Sequence, residues 1–541
     1  MNNQGLKLLA LIILLICGSH LYSQSTSNLR KSNTLVNIPS SPGSLIIKDN
    51  GSSSRSSVIN NHWVLTYDGA NYNLTDENGS VIYCEGCEGD GTNSINFSKQ
   101  YITSITVEGG SGDDVLTIRE ENGQLPQPAS NAVGGHTNAA FEASGLGNGI
   151  IGVHFEGGAG WDELIIQMDE AHDVTYFSDN NETKSGVIDV AGEFTLSFDG
   201  LEPIVIIGAG GSLILDASST PATSQLDLMD LPPAGDGLNQ VTGDGGWETV
   251  TFSGFFSLII RGGDGSETMN VNSVDGADPD GGGPGAALSF ITLDGDNVFS
   301  TDVSSDVLNI LDLPATISCT LSGAGGSDNF NIGSSTNSIG TILGLVTVDG
   351  ETHDPGTVDL QIKTDINTLD TGDILNVNDQ GDAGSYTYSL SMASIARTGT
   401  GGIVYFNIET LNLNTSIGSA DVDVISTADG VNTTITTQDA ADDIDVAMTG
   451  LDANVIINVA GGADDVNIVT TAGDGADGNA LGSFTQVNAG DDGDTMTLED
   501  SGPAGRVEFN GQGGTDVNNI LAAGPLSVTN VNGGDNSDTN N

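Results

Sequence analysis

The stretch GGSGDDVLTI, Gly109 to Ile118, contains a glycine-rich acidic turn that leads directly into a short strand. After the turn, apolar and polar residues alternate, as they do in a strand that buries one face. Near-copies of this stretch recur almost to the last residue of the chain. This repetition is therefore the property of the sequence that a predicted fold must explain first.

The copies share a small, glycine-rich loop that ends in an acid, and most have apolar residues two and four positions later. They are GGAGWD (157–162), GDGGWE (243–248), GGDGSE (262–267), GAGGSD (323–328), VAGGAD (459–464), AGDDGD (489–494), GQGGTD (511–516) and GGDNSD (533–538). A further relative, GAGGSL, has Leu213 where the others have an acid. Apolar residues also precede the turns, so each unit predicts strand, glycine turn and strand with one buried face.

The spacing of the acids predicts how these units are arranged. Asp494, Asp516 and Asp538 follow one another at intervals of 22 residues, about one coil of a parallel β-helix. Helical periodicity of useful length is missing from the sequence. We therefore predict an all-β fold, a right-handed parallel β-helix or β-solenoid with coils of about 20 residues and looped insertions. The acids would then stack in one row.

The composition restricts the partners of the protein. The 541 residues include 73 acids and only 12 Lys and Arg, which gives a formal net charge of -61. Nucleic-acid binding needs clustered cations, so this balance argues against nucleic acid as a partner and favours cations. A hydrophobic content of 37% is nevertheless enough to form a core.

The chain divides into four regions by composition. Residues 1–23 carry Lys7 and an apolar run too short to span a membrane, which predicts a signal peptide and a secreted or cell-surface protein. Residues 24–60 are rich in Ser and Asn and predict a flexible leader, with one short strand near 44–48. Residues 61–360 hold β-helix with acidic turns, and 361–541 continue it, with a boundary between them because the repeat signal weakens.

The cysteines and tryptophans add two smaller expectations. Cys84 and Cys87 form one CxxC without a second pair of metal ligands, which favours a local disulfide over a zinc site, while Cys319 fits a buried strand position. Trp161 and Trp247 occupy the same position beside the acid of their turns. They serve either as apolar cover for neighbouring coils or as surfaces on which sugar rings stack.

The turns resemble relaxed copies of the G-G-x-G-x-D-x-U-x nonapeptide of haemolysin-type (RTX) calcium-binding repeats. The strand–turn–strand units over residues 100–540 are similar to the β-helical regions of large secreted bacterial adhesin-like proteins. This resemblance implies calcium as a cofactor and cell-surface glycans or proteins as partners. RTX nonapeptides run in uninterrupted tandem, whereas these turns occur once per coil or less often.

The residue chemistry of the turns is compatible with calcium. Glycine loops expose backbone carbonyl oxygens and the acid adds a carboxylate, and calcium prefers such hard oxygen ligands. The predicted ligands are Asp114, Asp162, Glu248, Glu267, Asp328, Asp464, Asp494, Asp516 and Asp538. The alternative is that Gly and Asp are suitable corner residues and that the charge keeps the protein soluble.

Two other functions remain open at this stage. Parallel β-helices also include polysaccharide lyases and hydrolases, but His62, His136, His154, His172 and His353 are scattered and belong to no known catalytic motif. The chain is therefore predicted not to be an enzyme, and a passive stalk is the third reading. The C-terminal sequence ends on an acidic turn, which predicts that the chain continues or that another chain caps it.

Overall fold

The computed structural model describes residues 33–40, 43–49, 60–120, 125, 152–178, 185–217, 225–263, 265–277, 286–295, 304–323, 325–351, 372–472 and 483–541. The predicted signal peptide lies outside these residues. Within them the protein is all-β, with one 3₁₀ turn at Lys99–Tyr101 and no α-helix. None of the described segments is a helix long and apolar enough to cross a membrane.

The strands form two sheets, and the larger one, sheet A, has 22 strands among the described residues. Its strands are β1 (Asn33–Asn37), β2 (Gly43–Asp49), β5 (Val81–Cys84), β7 (Ile102–Ser111), β9 (Val153–Ala159), β11 (Val174–Ser178), β12 (Ser185–Val190), β13 (Phe194–Asp199), β15 (Ser212–Asp216), β19 (Ser257–Arg261), β21 (Phe290–Asp294), β23 (Ser318–Ser322), β25 (Val346–Asp349), β27 (Tyr386–Ser391), β28 (Ser394–Arg397), β29 (Ile403–Phe406), β31 (Ala420–Val424), β33 (Asp443–Val446), β35 (Asp465–Thr471), β37 (Thr495–Ser501), β39 (Val517–Ile520) and β41 (Thr539–Asn540).

Sheet B contains the remaining strands. They are β3 (His62–Tyr67), β4 (Asn71–Asp76), β6 (Ser94–Ser98), β8 (Val115–Arg119), β10 (Glu163–Gln167), β14 (Ile204–Ile207), β16 (Gln225–Asp230), β17 (Asn239–Gly243), β18 (Val250–Ser253), β20 (Thr268–Val271), β22 (Val307–Ile310), β24 (Asn329–Ile332), β26 (Ile374–Asn378), β30 (Thr410–Asn414), β32 (Asn432–Thr436), β34 (Asn454–Asn458), β36 (Phe484–Asn488), β38 (Arg506–Asn510) and β40 (Val528–Asn532).

The chain alternates between the two sheets, and strands of successive layers pair in parallel. In sheet A, β19 pairs with β21, β21 with β23 and β23 with β25. In sheet B, β20 pairs with β22, β22 with β24 and β24 with β26. This arrangement is solenoid-like and confirms the all-β, mostly parallel part of the predicted fold.

The core lies between the sheets and consists of stacked apolar side chains in register. Leu308, Phe330, Leu375 and Leu411 occupy matching positions of adjacent strands in sheet B and are at most 1% exposed. On the other face of these strands, an asparagine ladder connects the layers. The Nδ2 of Asn331, for example, donates to the Oδ1 of Asn309 at 2.8 Å. Strand alternation thus gives an apolar stack inside and an amide stack outside.

All parallel strands of one sheet run in the same direction, so the solenoid has two edges. We call the edge where strands of sheet A lead into sheet B the first edge, and the edge where strands of sheet B lead into sheet A the second edge. From β7 onwards, each described turn between the sheets lies at one of these edges.

Three antiparallel meanders interrupt the parallel pairing: β11–β12–β13 and β27–β28–β29 in sheet A, and β16–β17–β18 in sheet B. The outer strands of each meander pair in parallel with the neighbouring layers, as β13 does with β9 and β11 does with β15. The middle strand therefore runs backwards from one edge to the other, and each meander adds a hairpin tip at the second edge.

The N-terminal region corrects the predicted leader. Within 24–60, β1 and β2 pair antiparallel, β2 continues in parallel onto β7, and β1 pairs with β5. The strand expected near 44–48 is part of β2, but Leu45 and Ile47 are fully buried in the core. Sequence polarity concealed this because the two strands bury few side chains and are flanked by Ser and Asn.

The other local expectations have mixed outcomes. Cys84 and Cys87 form a disulfide, and Cys319 is buried. Trp247 is 7% exposed and contacts Tyr176 edge to face, whereas Trp161 is 59% exposed. The sheets also continue across the expected boundary, because β24 pairs with β26 and β25 with β29.

Candidate functional site

The motif acids lie at the turns and connect adjacent layers through their carboxylates. The backbone N–H of Asp114 donates to Oδ1 of Asp162 at 2.8 Å, and the N–H of Asp328 donates in the same way to Oδ1 of Asp373. Each carboxylate thus satisfies a backbone donor that the turn removes from the sheet ladder. A bond to a carboxylate is stronger than a neutral one, so the contact holds two layers in register.

These acids form two rows. The first row lies at the first edge. Its hydrogen bonds, each from a backbone N–H to a carboxylate oxygen, join Asn61 to Asp114, Asp114 to Asp162, Glu267 to Asp306, Asp306 to Asp328, Asp328 to Asp373 and Asp373 to Glu409. The second row lies at the second edge and joins Ala420 to Asp442, Asp442 to Asp464, Asp464 to Asp494, Asp494 to Asp516 and Asp516 to Asp538.

The single row expected from the sequence is therefore two rows on opposite edges. Glu409 precedes β30 of sheet B, whereas Asp442 precedes β33 of sheet A. The change follows the third meander. Similar turn sequences can occupy either edge, because both edges need a tight turn that supplies a hydrogen-bond acceptor. The motif alone therefore does not show at which edge a turn lies.

Glu248 and Leu213 show the limits of the motif. Glu248 precedes β18 at the first edge and is 4% exposed. Leu213 is the second residue of β15, near the second edge, and is buried in the core. In that turn, the backbone N–H of Ser212 donates to Oδ1 of Asp173 instead.

Asp306, Asp373, Glu409 and Asp442 belong to the rows although they lack the glycine loop. Insertions separate two of them from their glycines, because Gly295 lies beside Asp306 and Gly350 beside Asp373. Another signal was available in the sequence. In the first row, the acids at 267, 306, 328, 373 and 409 are each followed by any residue, an apolar residue, Asn and another apolar residue. That pattern combines the acid row with the core and the asparagine ladder.

In turns such as those of Asp328 and Asp516, the first glycine of the motif lies against the carboxylate, whereas the turns of Asp464 and Asp494 carry Val459 and Ala489 at that position. A Cβ on Gly511 would lie 2.2 Å from Oδ2 of Asp516, and one on Gly323 would lie 2.3 Å from Oδ2 of Asp328. The fourth motif position has a different requirement, since Gly326 and Gly514 have φ of 124° and 96°. One glycine thus makes room for the acid, and the other allows the left-handed turn.

Except for Glu409 and Asp538, which are partly exposed, the carboxylates of both rows are buried, and their second oxygens are the unusual atoms. Of the described residues, none donates a hydrogen bond to the buried Oδ2 of Asp114, Asp464, Asp494 or Asp516. Burial raises the pKa of Asp114 and Asp494 to about 7 and that of Asp464 to about 6. Neighbouring acids contribute to these raised pKa values, and the accepted N–H bonds oppose the rise. Each row therefore takes up protons readily, or cations in their place.

Charged groups also gather at the hairpin end of each meander, on the second edge. The sequence did not indicate these three clusters, because their members are far apart along the chain. They are Glu120, His172 and Glu193 beside the first meander, Asp230, Asp236 and Asp275 beside the second, and Asp379, Asp382 and Arg397 beside the third.

The third cluster contains its own cation. Arg397 Nη1 lies 2.9 Å from Oδ1 of Asp379, Nη2 lies 2.7 Å from Oδ2 of Asp382, and the guanidinium stacks on the ring of Tyr386. The Arg397 side chain is 2% exposed and that of Asp379 is fully buried. A guanidinium in this position offsets two carboxylates at the edge of the fold.

The second cluster contains acids alone. Oδ2 of Asp275 accepts the N–H groups of Gly235 and Gly237 at 2.6 and 2.8 Å, which holds the loop of the hairpin. Burial raises the pKa of Asp230, and Asp275 and Asp236 raise it further. Three carboxylate oxygens within 4.8 Å of one another could hold a metal ion.

Comparison with known proteins adds no assignment. No protein-family model matches the chain, and no curated protein matches it. The chemistry must therefore be argued from the acid rows and the meander clusters.

Gly323→Ala tests the space that the first acid row needs. The new methyl group would meet Oδ2 of Asp328 at 2.3 Å and Cζ of Phe330 at 3.0 Å, so we expect destabilisation of about 1–3 kcal/mol. Gly246→Ala is the control, since a methyl group there meets nothing within 4 Å. Urea unfolding of both variants measures the difference, and equal stability would contradict the packing argument.

Asp494 tests the protonation of the second row. Its pKa of about 7 in the folded protein exceeds the ordinary 3.8, so the folded state binds more protons between these values. The stabilising contribution is complete below about pH 4 and is lost as the pH rises towards 7. In metal-free buffer, Asp494→Asn removes this titration and keeps the acceptor for the N–H of Asp464, so we expect a flatter pH profile and higher stability above pH 7.

Asp494→Ala is the matched variant for that experiment. It removes the acceptor as well as the charge, so we expect it to be about 1–3 kcal/mol less stable than Asp494→Asn at every pH, because the buried N–H of Asp464 loses its partner. Thermal melting from pH 4 to 8 compares the three proteins. An Asn variant as weak as the Ala variant at pH 7.5 would show that the negative charge itself is needed.

Arg397→Met tests the cation of the third meander. It leaves Asp379 fully buried without its cation, so we expect a loss of about 3–5 kcal/mol in the free energy of unfolding. Arg506→Met is the control, because Arg506 lies over the ring of Phe484 and forms no ion pair with a described residue. A similar small effect of both variants in chemical unfolding would refute the role of Arg397.

Proposed function

We propose that the protein is a secreted, acidic repeat protein that acts as an extracellular or cell-surface module, adhesin-like or structural, and binds calcium. In this proposal the solenoid is a right-handed parallel β-helix with coils of about 20 residues and looped insertions. The bonds between Asp442, Asp464, Asp494, Asp516 and Asp538, most of which span 22 residues, support that coil length. The apolar N-terminal run of residues 8–16 supports export.

The likeness of the turns to RTX repeats and to bacterial adhesin-like β-helices belongs to this proposal. Its structural support is the stacking of the turns, which brings acids that are distant in sequence within one layer of each other. RTX-like sites require such stacking, because neighbouring turns share an ion between them. The nine motif acids are the proposed ligands of the rows.

The observation that carries the proposal is the number of buried carboxylates without a matching cation. Asp114, Asp494 and Asp516 are at most 2% exposed, and their Oδ2 atoms have no hydrogen-bond partner among the described residues. Twelve Lys and Arg cannot neutralise 73 acids. Ionised carboxylates in such positions need protons or bound cations, and hard oxygen donors select calcium among common extracellular ions.

The exterior of sheet A adds to the demand for cations. Asp421, Asp443 and Asp465 lie side by side in register, and Asp423 and Asp445 form a second short column beside them. Burial raises the pKa of Asp443, and its four acidic neighbours raise it further. A flat face with regularly spaced carboxylates is suited to contacts that divalent ions bridge, as an adhesin or structural surface requires.

The cluster of Asp230, Asp236 and Asp275 offers three carboxylate oxygens within 4.8 Å of one another, a ligand set that suits calcium. It lies at the same kind of meander tip where Arg397 supplies a positive charge in the third meander. A calcium ion would perform the corresponding task in the second meander. This adds a location to the nine motif acids, and the two sets can be tested separately.

Trp161 supports the adhesin-like reading. Its side chain is 59% exposed, and its backbone N–H donates to Oδ1 of Asp113 in the stacked turn of the preceding layer. An exposed, positioned indole beside carboxylates can stack on a sugar ring while the acids accept hydroxyl groups. Cell-surface glycans are therefore the proposed partners.

Calcium should stabilise the protein more than other ions at equal ionic strength. For a site with an affinity of about 10⁻⁴ to 10⁻³ M, millimolar calcium adds roughly 0.4–1.4 kcal/mol per site. Magnesium should add less, because it demands compact octahedral geometry. Titration calorimetry and thermal melting in chelator, calcium, magnesium and matched sodium chloride measure these effects.

Three variants locate the calcium effect. Asp275→Asn should abolish the part that depends on the meander cluster, and Asp516→Asn the part that depends on the second row. Glu499→Gln is the control, because this exposed acid belongs to neither set. If calcium raises the melting temperature no more than matched salt does, and the variants respond like the control, the acids only build corners and layers and the calcium proposal fails.

A further inference from the structure

The cluster beside the first meander differs from the other two because it contains an imidazole. Glu120 follows β8, His172 precedes β11, and Glu193 lies in the hairpin between β12 and β13. All three stand at the second edge. One ligand atom from each lies within 4.8 Å of the others, and His172 Nε2 is 3.2 Å from Oε1 of Glu120.

The side chain of Glu120 is buried, and burial of an ionised carboxylate without a cation beside it is unfavourable. It is 8% exposed, and its Oε2 has no hydrogen-bond partner among the described residues. His172 Nε2 likewise makes no hydrogen bond of acceptable geometry there. Burial is the largest cause that raises the pKa of Glu120, and Glu193 and Asp169 raise it as well, whereas His172 lowers it. The site therefore contains two buried ligand atoms, Glu120 Oε2 and His172 Nε2, that have no hydrogen-bond partner among the described residues.

The backbone holds the three segments in place. The N–H of Glu120 donates to the carbonyl of Gln167, the N–H of Ala191 to that of Asp173, and the N–H of Glu193 to that of Val190. Gly211 packs directly against the carbonyl of His172, where a Cβ would lie 2.2 Å away. The ligand atoms thus project from a fixed backbone and lie within 4.8 Å of one another.

The geometry points to Glu120, His172 and Glu193 as a site for a zinc-type divalent metal ion that clasps the first meander to the neighbouring layer. Tetrahedral zinc with bonds of about 2.0–2.1 Å places adjacent ligand atoms about 3.3 Å apart, close to the His172–Glu120 separation. One imidazole and two carboxylates suit zinc, whereas calcium prefers oxygen ligands alone. His172 and Glu193 are partly exposed, which leaves the fourth position to water.

This inference goes beyond the proposed calcium function and does not depend on it. The metal would act where Arg397 acts in the third meander, as a positive charge that holds a hairpin tip against carboxylates of a neighbouring layer. Since its ligands come from three separate segments, binding should stabilise the folded state and not the unfolded chain.

The test uses the purified mature chain after removal of metals by a chelator. Titration with zinc is followed by calorimetry, and titration with cobalt by its visible ligand-field bands. We expect one ion that binds at this site, a rise in melting temperature, and cobalt bands typical of nitrogen and oxygen ligands. His172→Asn, Glu120→Gln and Glu193→Gln should each weaken zinc binding by about tenfold or more, and His172→Asn should abolish the rise in melting temperature.

His154→Asn is the matched control. His154 also lies near a carboxylate, Asp199 at 3.7 Å, and bonds to Ser197, but it belongs to no group of three possible metal ligands among the described residues. Circular dichroism verifies that each variant is folded, and Glu193→Gln, at the exposed hairpin tip, provides a mild variant if His172→Asn is unstable. The inference is overturned if zinc does not bind, if the three ligand variants bind zinc as the parent does, or if His154→Asn loses as much affinity as they do.

Discussion

The fold depends on one repeated interaction, a buried carboxylate that accepts the backbone N–H of the corresponding residue one layer away. Turns between parallel sheets remove backbone groups from the ladders, and each such group needs a partner if water cannot reach it. Asp162, Asp328 and Asp516 supply that partner from the neighbouring layer. The bond fixes both the height and the register of each turn, so the core side chains of successive strands stack in line.

The same interaction creates the electrostatic problem of the protein. Only one carboxylate oxygen accepts the N–H, and the other is buried within the turn, against a glycine at Asp328 and Asp516. A row of such acids separated by one strand spacing repels itself strongly when ionised. Proton uptake by Asp494, a guanidinium at Arg397 and the metal ions that we propose for the other clusters are three physical answers to one excess of negative charge.

The meanders bring further negatively charged side chains together, at the second edge. Each places a hairpin tip at the second edge, where strands of sheet B end and their following acids collect. In the third meander the guanidinium of Arg397 is part of the chain. Beside the first meander the described cluster contains one imidazole. Beside the second it contains acids alone. The equivalence of the three positions is a property of topology, because a three-strand antiparallel meander in a parallel sheet has one hairpin at each edge and so always places one at the second edge.

The sequence by itself determined the all-β class, the parallel stacking and most of the acids in the rows, because period-two alternation and a glycine turn at a fixed spacing are local properties. It also determined the disulfide of Cys84 and Cys87, whose separation permits little else. Tertiary structure alone decided that the acids divide between two edges and that β1 and β2 join the core. It also decided that Asp306 and Asp373 belong to the row across insertions. The meander clusters could not be predicted from the sequence either. Their members, such as Glu120 and His172, meet only because strands far apart in the chain end at one edge, and no local pattern encodes that distance.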